Sequence, residues 1–210
     1  MNRFLKGAMI LTIAGVIVKI IGAFSKVLVA RILGGEGIGL YMMAYPIYQI
    51  IVSISAAGIP VAISIMIAEK LANRDMRGVQ QVFNVSLRVL TLVGIVFSVG
   101  LYASAEWLIK WNIITDPRAL IPIQLLSPAI IVVTILSCFR GYFQGFQYMV
   151  PTGTSQVFEQ IFRVGSMVGL AYYFIDSGLH LAAGGATFAT FPGVLAGLIV
   201  LVYFYRSQRS

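Results

Sequence analysis

Charge is what this sequence has least of. Asp, Glu, Lys and Arg make up 10% of its 210 residues, against roughly 25% in soluble domains. Hydrophobic residues make up 59%, and the mean hydropathy is +0.93. An ordinary soluble domain is excluded. Apolar runs of about 20 residues mark helical spans rather than the weaker alternating pattern of barrel strands. Cysteine is nearly absent: Cys138 stands alone in an apolar run, which excludes a disulfide framework and a cysteine metal cluster. Histidine is limited to His180, which reads as a solvated residue after Gly178. The chain has no Walker motif, HExxH, CxxC or GxSxG, so neither enzyme activity nor a cofactor is expected. Acidic residues are also few, 7 against 15 basic ones, for a net charge of +8. The basic residues flank apolar runs and read as orientation signals, so nucleic acid is not an expected partner. Glu36, Glu106, Asp116 and Asp176 read as solvated loop carboxylates.

The apolar runs predict an all-α integral membrane protein with six helices, about 8–33, 40–68, 82–105, 119–140, 152–175 and 181–205. The connections between them are short, so a single membrane domain is expected over residues 1–210. The first run is too long for a signal-peptide core and reads as a retained helix. With the N-terminus in the cytoplasm, the inner segments hold Arg3, Lys6, Lys70, Arg74, Arg77, Arg140, Arg206 and Arg209, and the outer ones Arg31, Lys110 and Arg118. This positive-inside bias puts both termini in the cytoplasm. Trp107 and Trp111 suit the outer interface. Pro46, Pro60, Pro122, Pro128 and Pro192 fall inside spans and predict bends, whereas Pro151 suits a first helical turn.

One span is conspicuously polar. Within Arg140–Gly165, reading RGYFQGFQYMVPTGTSQVFEQIFRVG, Gln156, Glu159, Gln160 and Arg163 share one helical side. A charge at the centre of a lone span costs about 2.5–3.5 kcal/mol on insertion scales, so such groups face a protein interior or a watery cavity. Glu159 and Arg163 are four apart in the favourable acid-before-base order, which predicts an ion pair. Gly165 and Gly169 read as a close-packing pair.

The first span repeats this one-sidedness. Thr12, Gly15, Lys19, Gly22 and Lys26 share a small, cationic face opposite Ile13, Ile17, Ile20, Phe24 and Leu28. Lys19 falls near mid-bilayer, either paired with Glu159 or lining a cavity. Span interiors hold Lys19, Lys26, Arg88 and Arg163 against Glu159 alone, and such an excess prefers an anionic visitor. Lys19, Lys26 and Arg163 are therefore the candidate substrate-binding cations. Glu159 is the candidate ion-pair or coupling residue, and Gln156, Gln160, Gln49, Asn84 and Arg88 are candidate supporting polar groups.

The segments FLKGAMILTIAGVIVKIIG (4–22), VARILGGEGIGLYMMAYPIY (29–48), AAGIPVAISIMIAEK (56–70) and RGYFQGFQYMVPTGTSQVFEQIFRV (140–164) carry a family likeness. The chain resembles the multidrug/oligosaccharidyl-lipid/polysaccharide (MOP) exporter superfamily. Within it, the chain is similar to the stage V sporulation protein B and polysaccharide biosynthesis branch, related to MurJ-type flippases. The resemblance implies one lobe, the N-terminal one, of a MATE-like two-lobe transporter. Such a transporter flips undecaprenyl diphosphate-linked cell-envelope precursors across the bacterial cytoplasmic membrane by alternating access. Lys19 matches a first-helix arginine of the lipid II flippases, while the positions of two further arginines fall at Ser25 and near Val52 and Ser53. The implied partners are a lipid-linked oligosaccharide, the bilayer, and a second lobe or another copy of this chain. The competing expectations are half of a cation-coupled multidrug exporter, or a non-transporting scaffold or inert fragment.

Overall fold

The computed structural model describes the backbone of residues 3–56 and 58–208 and the side chains of 5–54 and 58–208. Arg209 and the side chain of Arg3, counted above for orientation, lie outside the described residues. Among these residues the fold is entirely helical. The α-helices are α1 (Arg3–Ala56), α2 (Ile59–Ala72), α3 (Met76–Lys110), α4 (Leu120–Gly145), α5 (Val150–Phe174), α6 (Leu179–Phe188) and α7 (Thr190–Ser207). Short 3-10 turns, Pro117–Ala119 and Ile175–Ser177, lead into α4 and out of α5.

The helix count differs from the six expected, for local reasons. The first two expected helices run together as α1, kinked at Gly34 with φ 68° and ψ −176°. That conformation is open essentially only to glycine. The second expected helix is interrupted at Gly58, whose φ of 76° precedes α2. Pro60, expected mid-span, occupies the first turn of α2, where its missing N–H has no helical acceptor to serve. The last expected helix divides at Ala189 into α6 and α7. Among the described residues four stretches are long and apolar enough to cross a membrane: Leu5–Ala72, which takes in both limbs of α1 and α2, Met76–Lys110, Pro117–Gly145 and Leu179–Ser207. Helix α5 falls outside that set because of its polar side, and it packs against α1, α6 and α7.

Close approaches set helix directions. Gly153 faces Ile10 and Ala14, and Gly22 faces Gln160, so α5 runs parallel to the first limb of α1. Gly193 lies against Arg163, and Gly197 against Glu159 and Ser155, so α7 runs antiparallel to α5. Gly141 and Gly145 pack on Ile63 and Ile67, aligning α2 with α4. A Cβ at Gly145 would stand 2.7 Å from Ile67 Cβ. Both glycine pairs have the four-residue spacing that lets membrane helices approach closely. Gly165 and Gly169, the pair expected to do this, face open space.

Helix α4 is the most buried element, with Phe143, Ile130 and Leu126 fully enclosed. Pro128 cannot donate to the Gln124 carbonyl four residues back, and the Ser127 hydroxyl donates to it instead at 2.5 Å. Ser98 on α3 donates to the Ser127 carbonyl at 2.7 Å, fastening the neighbouring helix at the same bend. Beside the kink of α1, Arg118 donates to Glu36 and to Asp116, each at 2.7 Å. The two carboxylates expected to be merely solvated thus clamp the α1 kink to the entrance of α4. Hydrogen bonds from Arg118 hold the Asp116 carboxyl below the usual carboxylate range.

Candidate functional site

The two limbs of α1 and helix α5 line an open-sided cavity of about 390 Å³. Its wall includes Lys19, Gly22, Ser25 and Lys26 from the first limb, Tyr41 and Tyr45 from the second, and Gln160, Arg163 and Met167 from α5. The Gly34 kink brings the two limbs of α1 side by side, because a straight helix could not present Lys26 and Tyr41 to one space. The structure therefore brings Lys19, Lys26, Arg163 and Gln160 together. Gln49, Asn84, Arg88, Gln156 and Glu159 lie outside this wall. Asn84 and Arg88 instead face grooves on the far side of α3, and Gln49 is exposed.

The expected Glu159–Arg163 pair does not form. Glu159 accepts from Arg140 Nη2 at 2.7 Å, joining α5 to the last turns of α4. Ser155 also faces Arg140 Nη2, at 3.4 Å. Spacing along one helix could not reveal this partner, which comes from a neighbouring helix 19 residues earlier. Gly193 and Gly197 bring α7 against the backbone of this stretch and leave Glu159 on the α4 side. Lys19 is not paired with Glu159 either, since that carboxylate is engaged elsewhere.

Arg163 is held by neutral groups. It donates to the Tyr45 hydroxyl at 3.1 Å and to the Gln160 side-chain carbonyl. Tyr41 and Tyr45 stack with centroids 5.4 Å apart, giving the cavity an aromatic side. Gln160 is 2% exposed, and its amide nitrogen has no hydrogen-bond partner among the described residues. Gly22 leaves room for that amide, since a Cβ there would stand 3.0 Å from Gln160 Nε2. The wall thus holds three cations and an unused amide donor, with no carboxylate among its described residues. Chemically, it suits an oxygen-rich anion attached to something with apolar or ring surfaces. Gln160 was visible in the sequence only as part of a polar stripe, and Tyr45 was not distinguishable from other span aromatics.

Comparison with known proteins agrees with this architecture. The chain superposes on an outward-facing multidrug resistance MATE family transporter of the MOP superfamily with a TM-score of 0.84 at 16% identity, covering 99% of this chain and 45% of that one. It also superposes on a MOP superfamily transporter from Pyrococcus furiosus, described by a reversed polarity of its binding pocket, with a TM-score of 0.80 at 16% identity, covering 100% and 46%. The fold is that of a multi-pass helical membrane protein of the MOP type, and the share of those chains it covers is that of one lobe. In sequence it is 34% identical over 209 residues to stage V sporulation protein B of Bacillus subtilis (strain 168), covering 100% of this chain and 40% of that protein. It is 29% identical over 219 residues to lipid II flippase MurJ of the same organism, again covering 100% and 40%. This chain spans about 40% of the length of these curated relatives. It belongs to the polysaccharide biosynthesis protein family, whose match covers residues 4–210.

Proposed function

We propose that this chain supplies one lobe of a flippase for lipid-linked oligosaccharides, with the diphosphate of the carrier lipid held by Lys19, Lys26 and Arg163. The observation that carries this reading is the charge of the cavity. Glu159 is committed to Arg140, so the three cations of the wall are left without a carboxylate partner among the described residues. Lys19 and Lys26 are exposed on this wall and Arg163 is half-buried; like charges gathered on one wall repel one another, and a polyanion relieves that repulsion. Gln160 adds a neutral donor for a phosphate or sugar oxygen, and Tyr41 and Tyr45 offer ring faces to a saccharide. The polyprenyl tail stays in the bilayer while the head group crosses, and a second lobe or another copy of the chain closes the cavity. Alternating access then moves the head group between the two sides. The relatives' names, a lipid II flippase and a sporulation protein, support the substrate class. The positive-inside count supports a bacterial cytoplasmic membrane location with both termini in the cytoplasm.

The test uses the protein at its full natural length, reconstituted in vesicles with a fluorescent undecaprenyl diphosphate disaccharide. Lys19→Ala combined with Arg163→Ala abolishes transfer between leaflets while insertion and yield are kept. Undiminished transfer by that variant defeats the assignment.

A further inference from the structure

The polar residues of α3 do not serve the cavity, and their arrangement has its own logic. Arg77, Gln81, Asn84 and Arg88 follow steps of four, three and four, which keeps them on one side of the helix. They line a groove of about 460 Å³. It adjoins a second groove of about 730 Å³ between α3 and α7, which shares Gln80 and Asn84 and adds Arg206, Tyr205 and the apolar floor Phe83, Leu87, Phe139 and Val202. Among the described residues neither Arg77, Arg88 nor Arg206 forms an ion pair, and neither groove wall contains a carboxylate. The acid that does lie close, Asp75, caps α3 by accepting from the Gly78 N–H at 2.8 Å and stands 4.0 Å from Lys70.

Depth in the bilayer gives the stripe its meaning. Trp107 and Trp111, both exposed, mark the opposite interface on the same helix. Arg88 precedes Trp107 by about 28 Å of helix at 1.5 Å per residue, close to the roughly 30 Å hydrocarbon thickness. Arg88 therefore sits at the hydrocarbon edge, and Asn84, Gln81 and Arg77 rise from it through the head-group layer. Below it, Val89, Leu92 and Val96 are exposed and face acyl chains. Gln80 donates to Asn84 Oδ1 at 2.9 Å and to the Tyr205 hydroxyl at 3.2 Å, tying α3 to α7 at the groove mouth. With its oxygen engaged, Asn84 directs its amide nitrogen, a donor, away from Gln80.

We infer that these two adjoining grooves together form a binding site for one anionic phospholipid of the leaflet on the Arg77 side. The phosphodiester sits beside Asn84, reached by Arg206 and by Arg88 from the hydrocarbon edge, the polar head alcohol reaches Gln81 and Arg77, and an acyl chain passes Leu87 toward the exposed Val89, Leu92 and Val96. Cations on two helices above an apolar floor match an anionic head group with a tail, which a free phosphate does not use. This site is separate from the cavity and does not depend on its substrate.

Native mass spectrometry of the full-length protein tests the site, with phosphatidylglycerol and phosphatidylcholine of identical acyl chains as probes. The wild-type protein retains phosphatidylglycerol preferentially, each arginine contributing about fivefold. The Arg77→Gln/Arg88→Gln/Arg206→Gln variant loses the preference. Gln81→Glu, a change at an exposed position that leaves every arginine in place, lowers it by repulsion, and Arg88→Lys retains most of it. Equal retention of the two lipids by the wild type, an unchanged preference in the triple variant or in Gln81→Glu, or displacement of the lipid by inorganic phosphate would each overturn the site.

Discussion

Glu159 and Arg163 stand one turn apart on α5, yet one is tied down and the other left open. Glu159 looks toward α4, where Arg140 neutralises it between packed helices. Arg163 looks toward α1, where Tyr45 of that helix and Gln160 of its own helix position it without removing its charge. The glycines of α7 explain the division. By admitting α7 to the backbone between these residues, Gly193 and Gly197 give the helix two separate sides. One side is structural and electrically quiet, and the other is a cationic wall. A polar stripe in a span is therefore not one site: neighbouring helices decide which of its members are consumed.

The largest expected effect breaks the quiet side. Glu159→Gln leaves Arg140 charged and unpaired, which costs about 3 kcal/mol, the lower end for such losses, since the Glu159 side chain is 20% exposed. The full-length protein should lose thermal stability accordingly, and Arg140→Met with Glu159→Met should recover most of it. The contrast is sharpened by Arg163→Met, which orphans only the neutral Gln160 carbonyl and no charge, and so should cost about 1 kcal/mol, the lower end for an unsatisfied buried acceptor. Equal losses for Glu159→Gln and Arg163→Met would erase the distinction.

Next in size is the wedge that separates the two sides. Gly197→Leu forces a branched side chain against Leu136, Glu159 and Ser155, at a cost of about 1–3 kcal/mol. The same change at Gly169, which faces open space, should be tolerated, and comparing the folded yield of the two variants checks this.

How much of this was legible from the residues depends on how local the signal was. Membrane insertion, the all-helical class, the Pro151 helix start and the candidate cations needed only runs and spacing. The Glu159 partner was not legible, because Arg140 lies on another helix and along-helix spacing favoured Arg163. The glycine pairs Gly141/Gly145 and Gly193/Gly197 have the same spacing as Gly165/Gly169, and nothing in spacing alone says which pair meets a neighbour. The Gly34 kink falls at the glycine-rich stretch 34–39 that separated the first two expected helices, so the break was legible there, whereas its form, a kink with helix resuming at once, was not. Asn84 and Arg88 were grouped with the cavity by polarity, and only helix placement separates them from it.

The smallest effect lies outside the membrane, at the Glu36–Arg118–Asp116 clamp. The Asp116 carboxyl is depressed in the folded state, so its contribution is present above the unfolded value near 3.9 and is lost as pH falls through the lower folded value. Hydrogen exchange around residues 113–120 should therefore quicken selectively as pH drops from about 5 to about 2. Arg118→Gln should remove that selectivity.

The central claim is that the cavity cations are unneutralised and therefore take a diphosphate. Binding of farnesyl diphosphate and of farnesol to the full-length protein, measured by calorimetry, addresses it most directly. The account predicts diphosphate-dependent binding that falls at least about tenfold in Lys19→Ala/Arg163→Ala, the loss of roughly 1.4 kcal/mol, and that is preserved in Arg140→Met/Glu159→Met. Equal binding of the alcohol and the diphosphate, or unchanged affinity in Lys19→Ala/Arg163→Ala, would contradict it.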